Sequence, residues 1–429
     1  HFLYQKTMKN KATYLKLIKK VFIVCSLCMF MGISLEKPDP STRLLEAYNP
    51  FTSLIHYCIY GLGVLLASLK YKQTLKLVFK DIFLCVLLTL ALFSTIWSEV
   101  PTSTFLHSIS LLAITLYGVY FGTSYSLNEM LRLFRWSLAI IAILGLVFAL
   151  FMPANAFMID LRTGLRFQGI LSHPTNCGRI MVLGIVLWLI HALHIKHYRF
   201  VSWSIVAICT ISLVITNTVS AYLSLLELLL LLLLLRILKT KNVVLISFVL
   251  FFITSAITIL ATNYETVLDF FRRDTTGTGR TILWGMVWEK IMERPVLGYG
   301  LNAFWTGLDG PCADIWQRIR WQAPHAHNGL LDVGLQLGLL GMLALLISLV
   351  RNIFIAIVEL KRSSKLESIL PITLITFVII SNLTDVGVLS ARQSIIWFLY
   401  VYLSTYLSKC ILTKRKNYQK HRKLGEIYT

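Results

Sequence analysis

Long apolar segments with almost no charged side chains recur along this chain and limit what it can fold into. A helix needs about 20 apolar residues to cross the ~30 Å hydrocarbon core of a bilayer. Only 14% of the residues are charged, whereas soluble domains carry about 25%. The sequence therefore predicts an all-α, polytopic membrane protein with about twelve transmembrane helices. The apolar segments are residues 17–35, 51–69, 81–97, 104–122, 133–152, 175–193, 200–216, 219–236, 243–261, 329–350, 369–383 and 394–411.

The charged residues indicate the orientation of these helices. Most of the 41 Lys and Arg residues lie in the N-terminal segment, in alternate loops and at the C-terminus, whereas the acidic residues concentrate in the other loops. Cytoplasmic loops carry the basic excess in membrane proteins, so both termini are expected to be cytoplasmic. The net charge of +21 is thus a topology signal and does not indicate a nucleic-acid-binding surface.

This topology divides the chain into four parts. Residues 1–261 are predicted to form about nine membrane helices. The first of them is expected to be a membrane helix and not a removed signal peptide, because no small-residue cleavage site follows it. Residues 262–328 form one large extracytoplasmic loop, and residues 329–411 form about three further membrane helices. Residues 412–429 form a basic cytoplasmic tail suited to anionic membrane lipids.

The large loop has the composition of a folded, partly helical segment. It contains five of the ten tryptophans. Thr281–Glu293 is predicted to be a helix that Pro295 stops, and three glycines after it predict tight turns. Membrane anchors are expected at Ile282, Trp288, Ile291 and Met292, and the turn glycines are Gly298, Gly300 and Gly307.

Two histidines lie where this loop runs into an apolar helix, in the sequence Pro-His-Ala-His-Asn-Gly that begins at Pro324. Positive charge nearby keeps a histidine neutral and able to accept a proton, so His325 or His327 is a candidate general base. Asn328 is a candidate to orient the imidazole. Zinc is the alternative, but Asp332 is the one further ligand in reach by sequence, and the sequence favours a site without metal.

Arginines supply candidate anion sites. Arg280 follows two glycines at the start of the predicted loop helix, where free backbone amides and a guanidinium together suit a phosphate; a surface arginine near lipid headgroups is the alternative. Arg166 and His173 lie in a second polar segment at an outer membrane edge. Arg179 follows just inside the next helix, as a functional charge or one that snorkels to the surface. Tryptophans commonly anchor proteins at the interface, but one or two here, such as Trp284, could line a sugar-binding groove.

These motifs resemble the superfamily of O-antigen ligases and Wzy-type polysaccharide polymerases, and most of all the succinoglycan-type exopolysaccharide polymerases. The resemblance covers about residues 165–345. The matching pieces, in order, are Thr278-Gly279-Arg280-Thr281 with Trp284, Arg294–Gly300, Ala303-Phe304-Trp305, His325–Gly329 and Gly338–Gly341.

The resemblance implies a GT-C-like, metal-independent inverting glycosyltransferase in the bacterial inner (cytoplasmic) membrane, with its active site on the extracytoplasmic face and no cofactor. It implies His327 as catalytic base and Arg280 as a pyrophosphate-binding residue. The expected donor is a glycan on undecaprenyl pyrophosphate. The expected acceptor is a second lipid-linked glycan or lipid A-core, and a chain-length regulator is a further expected partner.

One departure stands out. Family members often carry a second cation between two later helices, where this chain has the uncharged stretch Thr216–Ala221. We expect Arg166, or Arg318 and Arg320 in the loop, to supply that charge. We expect His173, His325, Asn328 and Trp284 to help bind substrate. Three alternatives remain open: a ligase, a polysaccharide transporter and a non-catalytic scaffold. Transporters often contain internal repeats, and the sequence shows no convincing one.

Overall fold

The computed structural model describes residues 2–34, 50–160, 164–237, 279–362, 366–390 and 395–425, with residues 251, 254, 255 and 258 between them. The described chain is mostly helical, with one short hairpin that the sequence analysis did not anticipate. The elements are α1 (Phe2–Phe30), α2 (Pro50–Ser68), α3 (Tyr71–Val78), α4 (Ile82–Phe93), α5 (Pro101–Ser124), α6 (Leu127–Phe151), α7 (Pro153–Ala156), β1 (Phe157–Asp160), β2 (Gly164–Phe167), α8 (Pro174–His194), α9 (Arg199–Ile215), α10 (Val219–Ile237), α11 (Gly279–Glu293), α12 (Ala313–Ile319), α13 (Gly329–Arg362), α14 (Leu370–Thr384) and α15 (Ile395–Gly425).

Seven of the described helices are long and apolar enough to cross a membrane, or eight if α3 and α4 form one span bent by 97°. The helices α9 and α14 are apolar but shorter. Each predicted apolar segment within the described residues coincides with a helix, whereas segment 243–261 lies almost wholly outside them. These helices support a multi-pass membrane protein, and the count of twelve stays a prediction.

The chain divides into two compact units. The first unit comprises residues 1–37 and 126–222 and contains α1, α6 to α9 and the hairpin. Its helix α6 begins at a capping box, in which Ser126 and Glu129 exchange hydrogen bonds between side chain and backbone. The hairpin pairs β1 with β2 antiparallel, with Met158 opposite Arg166.

The second unit comprises residues 38–125 and 223–429. Helices α5 and α15 approach closely in it, because a Cβ on Gly118 would lie 2.9 Å from Val401 Cγ1. A buried carboxylate also connects three of its helices: Asp81, which caps α4, accepts hydrogen bonds of 2.7 Å from Ser348 on α13 and from Ser404 on α15. Full hydrogen bonding of this kind is what makes a buried carboxylate tolerable.

A kink in α13 provides backbone acceptors that bind the chain after α11. Gly338 has φ +65 and breaks the helix, which frees the carbonyl oxygens of the preceding turn. The backbone amide of Tyr299 donates to Leu335 O at 2.8 Å, and that of Gly300 donates to Gln336 O at 2.9 Å. The predicted turn glycines all have positive φ, and Gly298 lies so close that a Cβ would be 2.7 Å from Gly338 N. Gly298 and Gly300 therefore let the chain after α11 dock onto the kink.

Candidate functional site

The segment from α11 to the start of α13, which we call the outer segment (residues 279–328), folds around its own apolar core. Helix α11 supplies Leu283, Val287 and Ile291, each fully buried. The prediction that Ile291 anchors the protein in the membrane is therefore wrong, because this side chain packs toward Gly334 of α13. The other three predicted anchors are exposed. They are Ile282, Trp288 and Met292.

Helix α13 begins with a side-chain cap. The side-chain oxygen of Asn328 accepts hydrogen bonds from the backbone amides of Leu330 at 3.0 Å and Leu331 at 3.2 Å. An asparagine in this position satisfies amides that the first helical turn leaves without a partner. The structure thus gives Asn328 a structural task, and its predicted part in orienting an imidazole or binding substrate stays a prediction.

Asp332 fixes the backbone between the two histidines. Its carboxylate is buried and accepts hydrogen bonds from Ala326 N at 3.1 Å, Trp305 Nε1 at 3.0 Å and Gln336 Nε2 at 2.6 Å. The sequence offered Asp332 as a possible third metal ligand, but both of its oxygens are engaged in holding the loop. These hydrogen bonds hold the backbone at Ala326, between the two histidines.

The two histidines interact directly. The backbone N–H of His327 donates to Nδ1 of His325 at 3.2 Å, and the ring centroids lie 4.1 Å apart. Nε2 of His325 lies 3.3 Å from Oδ1 of Asp385. Because Nδ1 of His325 accepts a hydrogen bond, the neutral ring carries its proton on Nε2, the atom that faces Asp385. His327 itself has φ +50, a strained conformation that the surrounding contacts hold in place.

Asp385 reaches the histidines from the end of α14. Asn382 stabilises this connection, since its side-chain oxygen accepts hydrogen bonds from Gly387 N at 3.1 Å and Val388 N at 2.9 Å. One donor atom from each of His325, His327 and Asp385 lies within 4.8 Å of the others, so the three could hold a metal ion. The prediction that the two histidines lack a good third metal ligand is therefore wrong, because Asp385 offers one. The absence of a metal stays a prediction.

The tryptophans of the outer segment fall into two groups. Trp284 donates its indole N–H to Ala326 O at 2.9 Å and packs partly buried against the core, and its expected place in a sugar-binding groove stays a prediction. Trp316 is buried and donates to Ala323 O at 2.9 Å. Trp321, by contrast, is 44% exposed and stacks on His327 with a centroid distance of 5.4 Å and an interplanar angle of 24°.

The loop arginines differ in surroundings. Arg280 lies half-buried in the first turn of α11, directly after residues 262–278, which lie outside the described residues. Arg318 is exposed and forms a 3.7 Å ion pair with Glu289. Arg320, at the end of α12, is exposed and has φ +52. Arg318 is thus partly neutralised by a carboxylate, and its predicted part in binding an anion stays a prediction.

An ion cluster braces the outer segment. Lys290 lies 2.9 Å from Glu293 and 3.0 Å from Asp314. Burial opposes the charge of Lys290, but its hydrogen bonds to both carboxylates outweigh this and raise its pKa. Burial likewise raises the pKa of Glu293, but hydrogen bonds from Lys290 and Tyr299 outweigh it and lower that pKa. Burial, together with the bond to Glu293, raises the pKa of the Tyr299 hydroxyl.

The second polar segment lies in the first unit. On β2, Arg166 donates from Nε to Thr216 O at 3.2 Å and from Nη2 to Thr218 Oγ1 at 2.8 Å. Its guanidinium therefore lies at the very stretch where the resemblance led us to expect a cation. His173 instead caps α8, since its Nδ1 accepts from Thr175 N at 3.2 Å.

Arg179 is buried one turn into α8. Its Nη2 donates to Asn176 Oδ1 at 2.9 Å, and its exposed fraction is 7%. Asn176 in turn donates to Met31 O at 2.8 Å. The alternative that Arg179 snorkels to the surface does not fit this burial, and the side chain is part of the packing around the start of α8.

Comparison with known proteins places these features in a family context. Residues 204–346 match the family model described as O-antigen ligase, Wzy_C. The chain is similar to the O-antigen ligase and Wzy family. It is also 29% identical over 99 residues to the exopolysaccharide production protein ExoQ of Rhizobium meliloti (strain 1021), an alignment that covers 22% of this chain and 23% of that relative's length. The predicted resemblance to the O-antigen ligase and Wzy family is confirmed.

The O-antigen ligase match includes the outer segment with Arg280, His325 and His327, and also Thr216–Ala221. Asp385 and Asn382 lie beyond it, and sequence reasoning missed both. The one signal for them was the polar end, Ser-Asn-Leu-Thr-Asp, of an otherwise apolar segment. Such an ending also suits an ordinary helix terminus, so it did not single out a contact with His325.

Proposed function

We propose that this chain is a membrane glycosyltransferase that polymerises oligosaccharide repeat units carried on undecaprenyl pyrophosphate into a surface polysaccharide. The observation that carries the proposal is the arrangement of His327 beside the His325–Asp385 pair, within or next to the region that matches O-antigen ligases. Similarity to an exopolysaccharide production protein favours a polymer as the product. The proposed location is the bacterial cytoplasmic membrane, with the site on the extracytoplasmic face.

His327 acts as the general base in this proposal. It removes the proton from an acceptor hydroxyl, whose oxygen attacks the anomeric carbon of the donor sugar. The attack comes from the face opposite the pyrophosphate, and the bond between that carbon and the pyrophosphate oxygen breaks, so the configuration inverts. Undecaprenyl pyrophosphate leaves with the bonding electrons, and the proton remains on His327 until solvent takes it.

Charge on the leaving group is the part that needs stabilisation. Pyrophosphate is a good leaving group once its oxygens are neutralised, and arginines can do this with bidentate hydrogen bonds and no metal. Arg280 is the proposed pyrophosphate ligand because it lies at the start of α11, where backbone amides add to its charge. Arg166 is the proposed source of the cation expected at Thr216–Ala221, since its guanidinium reaches Thr216 and Thr218.

Ligation is the second candidate function. It is favoured by the description of the matching family model, O-antigen ligase. The same chemistry would then transfer the glycan to lipid A-core in place of a second lipid-linked glycan. The two functions differ in acceptor alone.

Reconstitution into proteoliposomes with an undecaprenyl-pyrophosphate-linked repeat unit, with and without lipid A-core, tests both functions. A ladder of products without added acceptor supports polymerisation, and a single transfer to lipid A-core supports ligation. His327→Ala should abolish either product while the protein keeps its helical circular dichroism. Near-normal product from this variant would refute the base assignment.

Arg280 offers a matched pair of variants. Arg280→Ala should lose most of the activity, and Arg280→Lys should recover little of it because an ammonium cannot make the bidentate contact of a guanidinium. Equal activity of the Lys variant and the wild type would contradict bidentate binding of pyrophosphate.

A further inference from the structure

Trp321 differs from the other tryptophans that surround the histidine motif. Trp284, Trp305 and Trp316 are at least partly buried and donate their indole N–H groups to Ala326, Asp332 and Ala323. Trp321 covers His327 with one face of its ring and is still 44% exposed. Because one face of the indole packs on His327, the exposed part of the ring is its other face and its edges. This exposed surface lies next to the proposed base.

The position of Trp321 is fixed by the folded segment beneath it. Its backbone carbonyl accepts a hydrogen bond from Ala323 N at 3.1 Å, and the carbonyl of Ala323 is bound by the buried Trp316. The residue before it, Arg320, ends α12 in the left-handed conformation and turns the chain toward the histidines. The backbone of Trp321 is therefore fixed, and stacking on His327 holds its ring before any ligand arrives, which reduces the entropy lost on binding.

We propose that Trp321 is the sugar platform of the acceptor site and binds the pyranose next to the reacting one. This inference rests on the proposed glycosyltransferase function. The electron-rich face of an indole attracts the weakly positive C–H groups of a pyranose and shields them from water. An exposed indole in contact with the base is thus suited to a saccharide.

Distance decides which acceptor sugar the platform binds. A ring stacked on the outer face of Trp321 lies about 4 Å beyond the indole, and the indole centroid is already 5.4 Å from that of His327. A general base must come within about 3 Å of the proton that it removes. The stacked sugar is therefore too far away to react, and the sugar attached to it extends round the indole edge to His327.

This geometry predicts that Trp321 matters for acceptors of two sugars and not for acceptors of one. The test uses the undecaprenyl-pyrophosphate-linked repeat unit as donor. The acceptors are the methyl glycosides of the terminal monosaccharide and the terminal disaccharide of that repeat unit. Trp321→Ala should raise KM for the disaccharide about tenfold and leave KM for the monosaccharide unchanged, so that the advantage of the second sugar disappears.

Two further variants separate the platform from other roles. Trp321→Phe keeps a ring over His327 and should retain part of the disaccharide advantage. Trp288→Ala removes a tryptophan of similar exposure, 46%, from helix α11 and should leave both KM values unchanged. If Trp321 served only to orient His327, Trp321→Ala would lower kcat equally for both acceptors and keep the ratio of their KM values, and that result would overturn the platform.

The platform and the proposed function fail in different ways. Wild-type protein that transfers glycan, with an unchanged disaccharide advantage in Trp321→Ala, refutes the platform alone. Wild-type protein that transfers no glycan from the lipid-linked donor to either acceptor refutes the glycosyltransferase function, and the platform with it.

Discussion

Oδ1 of Asp385 lies 3.3 Å from Nε2 of His325, and Nδ1 of the same imidazole accepts the backbone N–H of His327. The carboxylate thereby fixes the tautomer and the plane of His325, and His325 in turn holds the backbone at the proposed base. His327 has φ +50, so its position depends on such contacts. Asp385, at the C-terminal end of α14, is thus connected to the reacting imidazole of His327 through His325.

Asp385→Asn should therefore lower kcat about 10- to 100-fold and leave KM for the donor nearly unchanged. The amide keeps the size of the side chain but can present an N–H to His325 Nε2, which disfavours the native tautomer. Steady-state kinetics on the lipid-linked donor measure the effect. Asp314→Asn is the control, because Asp314 pairs with Lys290 in the brace of the outer segment. Equal losses in both variants would show that the effect is one of stability.

Chelation separates a histidine–carboxylate pair from a metal site built on the same atoms. His325, His327 and Asp385 are close enough to share an ion. If the base mechanism is correct, prolonged dialysis against EDTA leaves glycan transfer unchanged, and added Zn²⁺ inhibits it by occupying the imidazoles. Loss of activity on dialysis, with recovery on adding a divalent metal, would replace the base mechanism by a metal-dependent one. Elemental analysis of the purified protein checks the same point without an activity assay.

Gly338→Ala should destabilise the protein by about 2–4 kcal/mol, because it combines a positive φ of +65 with a Cβ that would overlap the Val296 carbonyl. Gly285→Ala is the matched control, since a Cβ there meets nothing within 4 Å in the interior of α11. Alanine is the better helix former, so this variant should be neutral or slightly stabilised. Thermal unfolding followed by circular dichroism measures both, and equal melting temperatures would contradict the docking of the outer segment on the kink.

Much of this architecture could be predicted from the sequence, because helix periodicity and hydropathy are local properties. The helix Thr281–Glu293 was predicted within two residues of Gly279–Glu293. The turn glycines were found because positive φ leaves a trace in residue type. Contacts between distant segments leave no such trace. The contact of Asp385 with His325 depends on how α14 packs near the start of α13, and no local pattern encodes it.

The roles of individual side chains were harder to predict than their positions. Trp284 and Trp321 are the same residue type in the same segment, yet the first donates to Ala326 O and the second is exposed on His327. Asn328 caps helix α13, a task that the histidine motif did not indicate, and its expected contact with an imidazole stays a prediction. Burial and hydrogen-bond partners are properties of the folded chain, so these choices required the structure.

The outer segment should be most stable near neutral pH. The lowered pKa of Glu293 means that its ion pair contributes above its ordinary pKa of 4.5 and is lost as the pH falls through the lower folded value. The raised pKa values of Lys290 and Tyr299 mean that their contributions are present at neutral pH and are lost as the solution becomes strongly alkaline. Tryptophan fluorescence of the wild type, measured against pH, should show that the folded state is most stable near neutral pH and less stable on both sides. In Glu293→Gln the acid-side loss should shrink, and an unchanged acid limb would assign it to other carboxylates.

Arg166 and Thr218 offer a test of charge placement, because Nη2 of the arginine lies 2.8 Å from Oγ1 of the threonine. Arg166→Ala should lower activity about 10- to 100-fold, as expected for the loss of charge-assisted hydrogen bonds to an anion. Thr218→Lys in the Arg166→Ala background restores a cation at nearly the same place from the other residue of the contact. The double variant should therefore recover part of the lost activity, measured as kcat/KM for the lipid-linked donor. Thr218→Met in the same background adds similar length without charge and should recover nothing. Equal recovery by Lys and Met would show that Arg166 serves packing at the break between α9 and α10, and that the missing cation comes from elsewhere.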